Sequence, residues 1–203
     1  MHSIWQEKID FPEYPILKRD KKVDILYLGA TLQNAVEAHF QQEQGKAVMI
    51  LEEKNIAQMP ELGGMGILKA ESKEEKKDLH RLRDYINGRS IPCDMEVVSD
   101  ECIWVHPVKL FLFLTEGISV FEQTKICSRQ GKRLDIGCAY IDAANIIEPK
   151  HKKADPMYVH VFTSERFPKK LNVPYKEMRK YKDVWLIGAE QKELEGSEYS
   201  WEI

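Results

Sequence analysis

The sequence lacks an excess of charge of either sign. Its 203 residues include 30 Lys and Arg against 33 Asp and Glu, which gives a formal net charge of −3. A dedicated binder of nucleic acids or of anionic membrane surfaces needs an excess of Lys and Arg on its surface. We therefore expect neither nucleic acid nor a membrane among its partners.

Long hydrophobic runs are also missing. The longest segment without a charged residue, 25–36, has twelve residues and includes several polar ones, whereas a membrane-spanning helix needs about 20 apolar residues. The first ten residues carry Glu7 and Asp10 and show no basic segment followed by an apolar one, the pattern of a secretion signal. We therefore expect a cytoplasmic protein.

Cysteine is scarce, and its spacing does not suit metal binding. Cys93, Cys102, Cys127 and Cys138 are separated by 8, 24 and 10 residues, without the C-x-x-C pairs typical of zinc sites. The six histidines share no ligand spacing either. Because the cysteines lie among apolar or β-branched neighbours, we expect buried thiols that pack as small hydrophobic side chains, and no metal site.

Glycine and proline are too few for a collagen-like or low-complexity chain, at 11 and 9 residues. What is present is a composition that is 43% apolar, in a chain long enough to bury a core. Strand-like and helix-like apolar patterns alternate along it, which predicts an α/β protein. Residues 1–20, with Pro12 and Pro15, favour an extended segment.

The clearest unit is a strand, a helix and a second strand near the amino end. Residues 23–28 form an apolar strand that ends at Gly29, and residues 47–51 form a second one. Between them, apolar side chains recur at helical spacing from Leu32 to Phe40, and Gly45 provides a stop. Two strands joined in this way are parallel, so the pattern predicts a βαβ unit.

The other patterns predict a mixture of elements. A charged helix that ends near Gly88 is predicted within residues 69–86, with an apolar stripe formed by Leu79, Leu82, Tyr85 and Ile86. Residues 108–114 and the charged stretch 175–182 are also predicted to be helical. Strands are predicted over residues 95–98, 102–105, 118–121, 141–147, 157–162 and 184–187, with a hairpin turn at Gly131.

The turn after the first strand carries the one sequence pattern that indicates a specific binding function. Dinucleotide-binding folds have G-x-G-x-x-G here, opening a helix that receives the pyrophosphate, and an acidic residue after the second strand that binds the ribose. Glu52 lies 23 residues after Gly29, at the position of that acidic residue. The residues aligned with the glycine pattern are Gly29, Ala30, Thr31, Leu32, Gln33 and Asn34.

Thr31 and Asn34 stand where the second and third glycines belong. The second glycine lets a phosphate approach bare backbone, and the third lets helix and strand pack closely. Neither a threonine nor an asparagine restores that space, although their polar groups could bond a phosphate. The turn alone therefore leaves two interpretations, a dinucleotide site or a βαβ scaffold without a cofactor.

Further segments extend the pattern in a constant order along the chain. They are residues 3–5 (SIW), 11–17 (FPEYPIL), 23–29 (VDILYLG), 46–52 (KAVMILE), 56–68 with GGMG at 63–66, 106–110 (HPVKL), 118–126 (ISVFEQTKI) and 143–145 (AAN), followed by 162–166 and 183–190. In this order they resemble FAD-dependent oxidoreductases of the D-amino-acid oxidase/glycine oxidase (DAO) family.

The resemblance implies an FAD/NAD(P)-binding, Rossmann-like fold with a mainly parallel sheet over residues 1–150. A small β-rich remnant of a substrate domain would follow over 151–203. It implies FAD as the cofactor. The residues that would hold FAD are Gly29, Ala30, Thr31, Glu52, the loop glycines Gly63 and Gly64, and the backbone of Ile126 beside the adenine.

This chain also departs from the family. The helical region before residue 106 is shortened to about one helix, and no segment after Glu190 matches the family's C-terminal return to the flavin. Because a flavin oxidase needs a closed, dry cavity, we do not expect this chain to complete one alone. We assign no catalytic residue, since His106 followed by Pro107 predicts a helix start rather than a catalytic histidine.

Two functions therefore stay open. The first is an FAD-dependent oxidoreductase acting on C–N bonds of amines or amino acids, without full activity on its own or as one subunit of a hetero-oligomeric flavin oxidase. The second is a non-catalytic binding or regulatory module on the same scaffold. Both are compatible with a protein partner or a homo-oligomer.

Overall fold

A computed structural model of the chain describes residues 4–5, 9–59, 62, 64–148, 158–164, 175–190 and 197–202. The helices are α1 (Leu32–Glu43), α2 (Lys73–Arg89) and α3 (Pro107–Leu114), with a short 3₁₀ turn at Ile56–Gln58. The strands are β1 (Lys21–Leu28), β2 (Val48–Leu51), β3 (Ile67–Lys69), β4 (Glu96–Ser99), β5 (Cys102–Trp104), β6 (Ser119–Phe121), β7 (Ser128–Gln130), β8 (Arg133–Asp135), β9 (Tyr140–Ile147), β10 (Tyr158–Thr163), β11 (Glu177–Tyr181), β12 (Val184–Ala189) and β13 (Tyr199–Glu202).

The central sheet has six strands in the order β6-β2-β1-β9-β8-β7. Its pairs β6–β2, β2–β1 and β1–β9 are parallel, and the last two pairs are antiparallel. Ile25 pairs with Val48 across β1 and β2, so the predicted parallel βαβ unit is confirmed. The protein is a mixed α/β structure whose main sheet is mostly parallel.

Helix α1 begins and ends where the sequence predicts. Thr31 is its N-cap, and Gly45 beyond its last turn has a φ of +80°, a conformation that favours glycine. The helix buries Leu32, Ala35, Ala38 and Phe40 on one side. This apolar side packs against the sheet and against α3.

Buried side chains cover both faces of the central sheet. On the helical face, Tyr27 and Ile50 join Phe111 of α3 in the larger cluster. On the other face, Leu26 and Met49 belong to a second cluster together with Leu134 of β8 and Ile141 of β9. Full burial of each large apolar side chain contributes about 1.5–3 kcal/mol, so these two clusters carry much of the stability of the sheet.

Helix α2 matches the predicted charged helix, with Leu79, Leu82 and Ile86 buried on its inner side. A capping box between Ser72 and Glu75 starts it. The predicted end near Gly88 is confirmed, since the helix ends at Arg89 and Ser90 adopts the left-handed conformation. Within the described residues, no helix combines the length and the apolar character needed to cross a bilayer.

The charged stretch 175–182 is a strand, not the predicted helix. β11 pairs antiparallel with β12, and the four-stranded sheet has the order β11-β12-β10-β13. Lys182, with a φ of +52°, turns the chain between β11 and β12. Pairing with the apolar strand β12 and the hydrogen bonds of Arg179 to two backbone carbonyls outweigh the helical composition of this stretch.

The four-stranded sheet packs on the same core as the central sheet. Val159, Val161 and Leu186 belong to the cluster that contains Tyr27 and Phe111. A third, three-stranded sheet with the order β3-β5-β4 contributes Ile103 to that cluster. The division between residues 1–150 and 151–203 stays a prediction.

The prediction of four buried cysteines holds for Cys93 and is wrong for Cys127 and Cys138, which are exposed, while Cys102 is partly buried. Burial raises the pKa of the Cys93 thiol to about 11. The two exposed cysteines flank β7, β8 and a turn at Gly137, at the open edge of the sheet.

Among the described residues, no group of His, Cys, Asp and Glu is arranged to hold a metal ion.

Candidate functional site

The turn between β1 and α1 lies at the carboxyl end of β1, beside the end of β2. Gly29 has a φ of +87°, which favours glycine, and its N–H donates to the Leu51 carbonyl at 2.8 Å. Ala30 and Thr31 then lead directly into α1. The structure therefore brings Gly29, Ala30, Thr31 and Glu52 together, as the motif predicts.

Glu52 lies at this turn and is only 6% exposed. One carboxylate oxygen accepts the Ala30 N–H at 3.0 Å, and the other accepts the Lys54 N–H at 2.9 Å. The Ala30 N–H is one of the backbone donors that the glycine pattern would present to a phosphate. In this chain a buried carboxylate from the end of β2 takes that donor.

Asn34 fills the space at the junction of strand and helix. It is 4% exposed, and its Nδ2 donates to the carbonyls of Leu28 at 2.9 Å and Gly29 at 2.8 Å. The Thr31 hydroxyl accepts the Asn34 N–H at 3.0 Å as the N-cap of α1. Thr31 and Asn34, which replace glycines of the pattern, thus form hydrogen bonds within the turn.

A second backbone donor is also taken by a carboxylate. The Ile126 N–H, which the family resemblance assigns to the adenine, makes a long hydrogen bond of 3.5 Å to Glu53. Nearby, buried Glu122 accepts the Ile56 N–H at 2.8 Å, and the Thr124 hydroxyl accepts the Leu17 N–H at 3.2 Å. The polar residues of the 118–126 segment therefore bond neighbouring loops.

The glycine-rich loop contacts other parts of the chain through its carbonyls. Gly63 lies outside the described residues. The Trp5 indole N–H donates to the Gly64 carbonyl at 2.6 Å. Gly66 has a φ of +65°, and a Cβ on it would lie 2.2 Å from the Val105 carbonyl oxygen. The close approach of two backbone segments thus requires glycine at this position.

Arg179 is the buried cation that the sequence analysis missed. Its Nη1 donates to the carbonyls of Met65 at 2.8 Å and Val105 at 2.7 Å. The rings of Trp5, Trp104 and Tyr181 surround the guanidinium at 5.1 to 5.4 Å. Burial lowers the pKa of Arg179 to about 10, and within the described residues its Nε lacks a hydrogen-bond partner. No local pattern marked it, because it lies in a charged stretch interpreted as helical.

Comparisons by sequence identify no relative. A scan against protein-family models and a search of curated protein sequences give no match.

Solved structures, in contrast, match over most of the chain. Glycine oxidase from Bacillus cereus superposes with a TM-score of 0.58 at 11% identity, over 82% of this chain and 71% of that one. L-amino acid deaminase from Proteus vulgaris, with its specific insertion deleted, gives 0.51 at 12% identity, over 90% and 71%. PqsL, a probable FAD-dependent monooxygenase from Pseudomonas aeruginosa, gives 0.50 at 11% identity, over 82% and 60%.

The fold is like that of flavoprotein oxidoreductases. At these identities the similarity concerns the fold alone, and the chain spans about seven tenths of the glycine oxidase. The expected α/β class with a mostly parallel sheet is consistent with these neighbours.

His106 caps a helix in this fold, as the sequence predicts. Its Nδ1 accepts the Lys109 N–H at 3.3 Å, and Pro107 follows as the first helical residue. Burial, followed by the charge of Lys109, lowers the pKa of His106 to about 4. The Lys109 amine in turn donates to Asp94 at 2.9 Å, so this polar group forms part of the packing at the start of α3.

A surface groove of about 660 Å³ lies at the other end of the central sheet. It is lined by Lys22, Val23 and Asp24 of β1 and by Lys132 and Arg133 of the β7–β8 hairpin. Gly29 lies six positions after Val23 along the strand, which corresponds to about 20 Å. The groove is thus remote from the candidate nucleotide turn.

Proposed function

We propose that this chain is a non-catalytic binding or regulatory module built on a Rossmann-like flavoprotein fold of the DAO type. The observation that carries the proposal is the hydrogen bond between the buried Glu52 carboxylate and the Ala30 N–H, at 3.0 Å. It engages a backbone donor of the turn, which a bound phosphate would need, with a carboxylate of the chain itself.

The turn as folded does not fit a dinucleotide. A diphosphate needs free backbone N–H groups and room to approach them. Here Glu52 accepts the Ala30 N–H, and the Thr31 side chain stands where the pattern has a bare glycine. We therefore derive no reaction step through a flavin.

Asn34 adds to the cost of opening the turn. Any movement of α1 away from β1 breaks its bonds to the Leu28 and Gly29 carbonyls. Each buried polar group left without a partner costs about 1–3 kcal/mol. The closed form of the turn is thus held by its own side chains.

A second candidate is the FAD-binding subunit of a hetero-oligomeric flavin oxidase that acts on amines or amino acids. The position of Glu52 favours it, because a carboxylate at the end of β2 beside the turn is where a ribose would be bound. In that case a protein partner would complete the flavin pocket, and Glu52 would exchange the Ala30 N–H for the ribose hydroxyls.

Flavin binding separates the two candidates. We expect the purified chain to lack flavin absorbance near 450 nm, and added FAD to leave its melting temperature unchanged. A ligand at 100 times its Kd would add about 2.7 kcal/mol to the free energy of unfolding, a shift that thermal denaturation detects easily. A yellow protein that releases FAD on denaturation would contradict the non-catalytic proposal and support the second candidate.

A substitution in the turn tests the steric argument itself. We expect Thr31→Gly to acquire FAD-dependent stabilisation that the wild-type chain lacks, because it removes the side chain from the phosphate approach. Glycine is also a tolerated N-cap, so the loss of helix stability is small. Thr31→Ser is the matched control, since it retains both the Cβ and the capping hydroxyl. Equal responses of the two variants to FAD would show that the steric argument is wrong.

A further inference from the structure

The groove at the amino end of β1 is large enough to hold a small molecule. Its volume is about 660 Å³, and Ala47, Ala143 and Ala144 are among the residues that line it. Binding sites for small molecules have volumes of about 300–1,000 Å³. Small side chains at this place leave room above the strands that carry them.

Hydrogen bonds within the chain hold the walls of the groove. The Ala47 carbonyl accepts the N–H groups of both Asp24 and Ile25, at 2.8 and 3.2 Å, so the pairing of β1 is irregular here. The Asp24 carboxylate accepts the Ala47 N–H at 2.9 Å. At the β9 side, the Lys132 carbonyl accepts the Ala143 N–H at 3.0 Å, which attaches the β7–β8 turn to β9. The groove is therefore formed without a ligand.

The charged residues of the groove leave cations available to an anion. The cations are Lys22, Lys132 and Arg133, and the carboxylates are Asp24 and Asp142. Both carboxylates have partners, since Asp24 accepts a backbone N–H and Asp142 lies 3.8 Å from Nε of Arg133. Within the part of the chain that the structure describes, neither Lys22 nor Lys132 forms an ion pair. Two ammonium groups are thus free to bind a ligand.

Arg133 lies in a row of charged residues that crosses the sheet. It pairs with Asp142 between β8 and β9, and Asp142 pairs with Lys22 between β9 and β1. Residues directly opposite each other in neighbouring strands lie on the same face of a sheet. The guanidinium also lies over the Tyr140 ring, 4.3 Å from its centre. The Asp142 carboxylate and the Tyr140 ring therefore limit the positions that the guanidinium can adopt.

We propose that this groove binds a small molecule through a phosphate or diphosphate group, with Lys22, Lys132 and Arg133 as the contacts. A guanidinium presents its N–H groups in a planar fork that matches two oxygens of one phosphate, and lysine binds phosphate as a point charge. A phosphate group has three oxygens and up to two charges, so it can engage a guanidinium and an ammonium at once.

The rest of the ligand lies against the alanine side chains of the groove. Among the described residues that line it, none is aromatic, so the groove offers no ring on which a nucleobase could stack. The ligand class is therefore a phosphorylated molecule without an aromatic ring, such as a sugar phosphate. This site is remote from the turn at Gly29 and does not depend on whether that turn binds FAD.

A titration with inorganic pyrophosphate, followed in ¹H–¹⁵N spectra of the labelled chain at physiological ionic strength, tests the site. We expect the amide signals of Gly131, Lys132 and Ala143 to shift until they saturate, and the Ala30 signal to stay in place. Citrate, a carboxylate anion of similar charge, should bind more weakly. Shifts that do not saturate, a response at Ala30 instead, or citrate binding as tight as that of pyrophosphate would overturn the proposal.

Charge-removing variants test the contacts. We expect Arg133→Gln and Lys132→Gln each to raise the Kd for pyrophosphate about tenfold, because hydrogen bonds to charged groups are stronger than neutral ones. Both residues are exposed, so the variants should fold, and the same spectra show whether they do. Lys77→Gln is the matched control, since it removes one charge from an exposed position of α2 outside the groove. Equal weakening in all three variants would indicate general attraction to charge and contradict a site in the groove.

Discussion

At the scale of residues, two histidines mark the two ends of α3. His106 caps the amino end and is buried at 5% exposure, and His39 approaches the carbonyl of Leu114 at the other end. A helix favours negative charge at its amino end and positive charge at its carboxyl end. At the amino end, burial and the charge of Lys109 lower the pKa of His106 to about 4, so its protonation affects stability.

We expect the free energy of unfolding to fall by about 3 kcal/mol as the pH is lowered from 6.5 towards 4, because of His106. Its pKa in the folded protein is about 4, below the ordinary 6.5, so the unfolded chain takes up the proton first. The stabilisation is complete above pH 6.5 and is lost on acidification. Urea unfolding at several pH values measures the slope. His106→Asn keeps a capping acceptor and should remove this contribution, and an unchanged slope in that variant would exclude His106 as its source.

At the scale of elements, the junction of β1 and α1 is closed by side chains where the dinucleotide pattern has glycines. Asn34 donates to the carbonyls of Leu28, the last residue of β1, and of Gly29, and Thr31 caps the helix that follows. The strand and the helix are thus joined by specific hydrogen bonds rather than by close backbone packing. This attachment explains how a βαβ unit persists with only one of its three glycines.

We expect Asn34→Ala to lower the free energy of unfolding by about 2 kcal/mol, since it leaves the carbonyls of Leu28 and Gly29 without their donor. Gln33→Ala is the control on the same helix, because Gln33 is exposed and its side chain donates to Glu37 in the next turn. Urea denaturation compares the two variants. Equal losses would show that the bonds of Asn34 contribute little beyond helix propensity.

At the scale of the whole molecule, Trp5 and Arg179 attach distant segments to one loop. Trp5 donates to Gly64, 59 residues away, and Arg179 donates to Met65, 114 residues away. The indole ring lies 5.1 Å from the guanidinium, so the two side chains also contact each other. The amino-terminal segment and the four-stranded sheet are thereby held against the glycine-rich loop.

Arg179→Met tests this attachment. We expect it to lower the free energy of unfolding by about 2 kcal/mol, because the carbonyls of Met65 and Val105 lose their buried donor. Amide hydrogen exchange should also become faster in β10, β11 and β12. Lys180→Met is the matched control, since the neighbouring Lys180 is exposed. Equal exchange rates in the two variants would contradict a role of Arg179 in holding the sheet.

The sequence by itself determined the elements whose signals are local. The apolar period predicts β1, α1 and β2, Gly45 predicts the end of α1, and His106 with Pro107 predicts the start of α3. The same spacing argument places Glu52 beside the turn at Gly29, and the structure has it there. These predictions succeed because strand and helix periods, caps and stops depend on residues a few positions apart.

The tertiary structure determined which elements pair and which side chains are buried between them. It made a strand of the charged stretch 175–182, buried Arg179 and exposed Cys127, because partners far along the chain determine pairing and burial. It also decided that the N–H of Ala30 meets Glu52 and that the nitrogens of His39 meet two other helices. The sequence lists the donors and acceptors, and only the folded chain determines which of them pair.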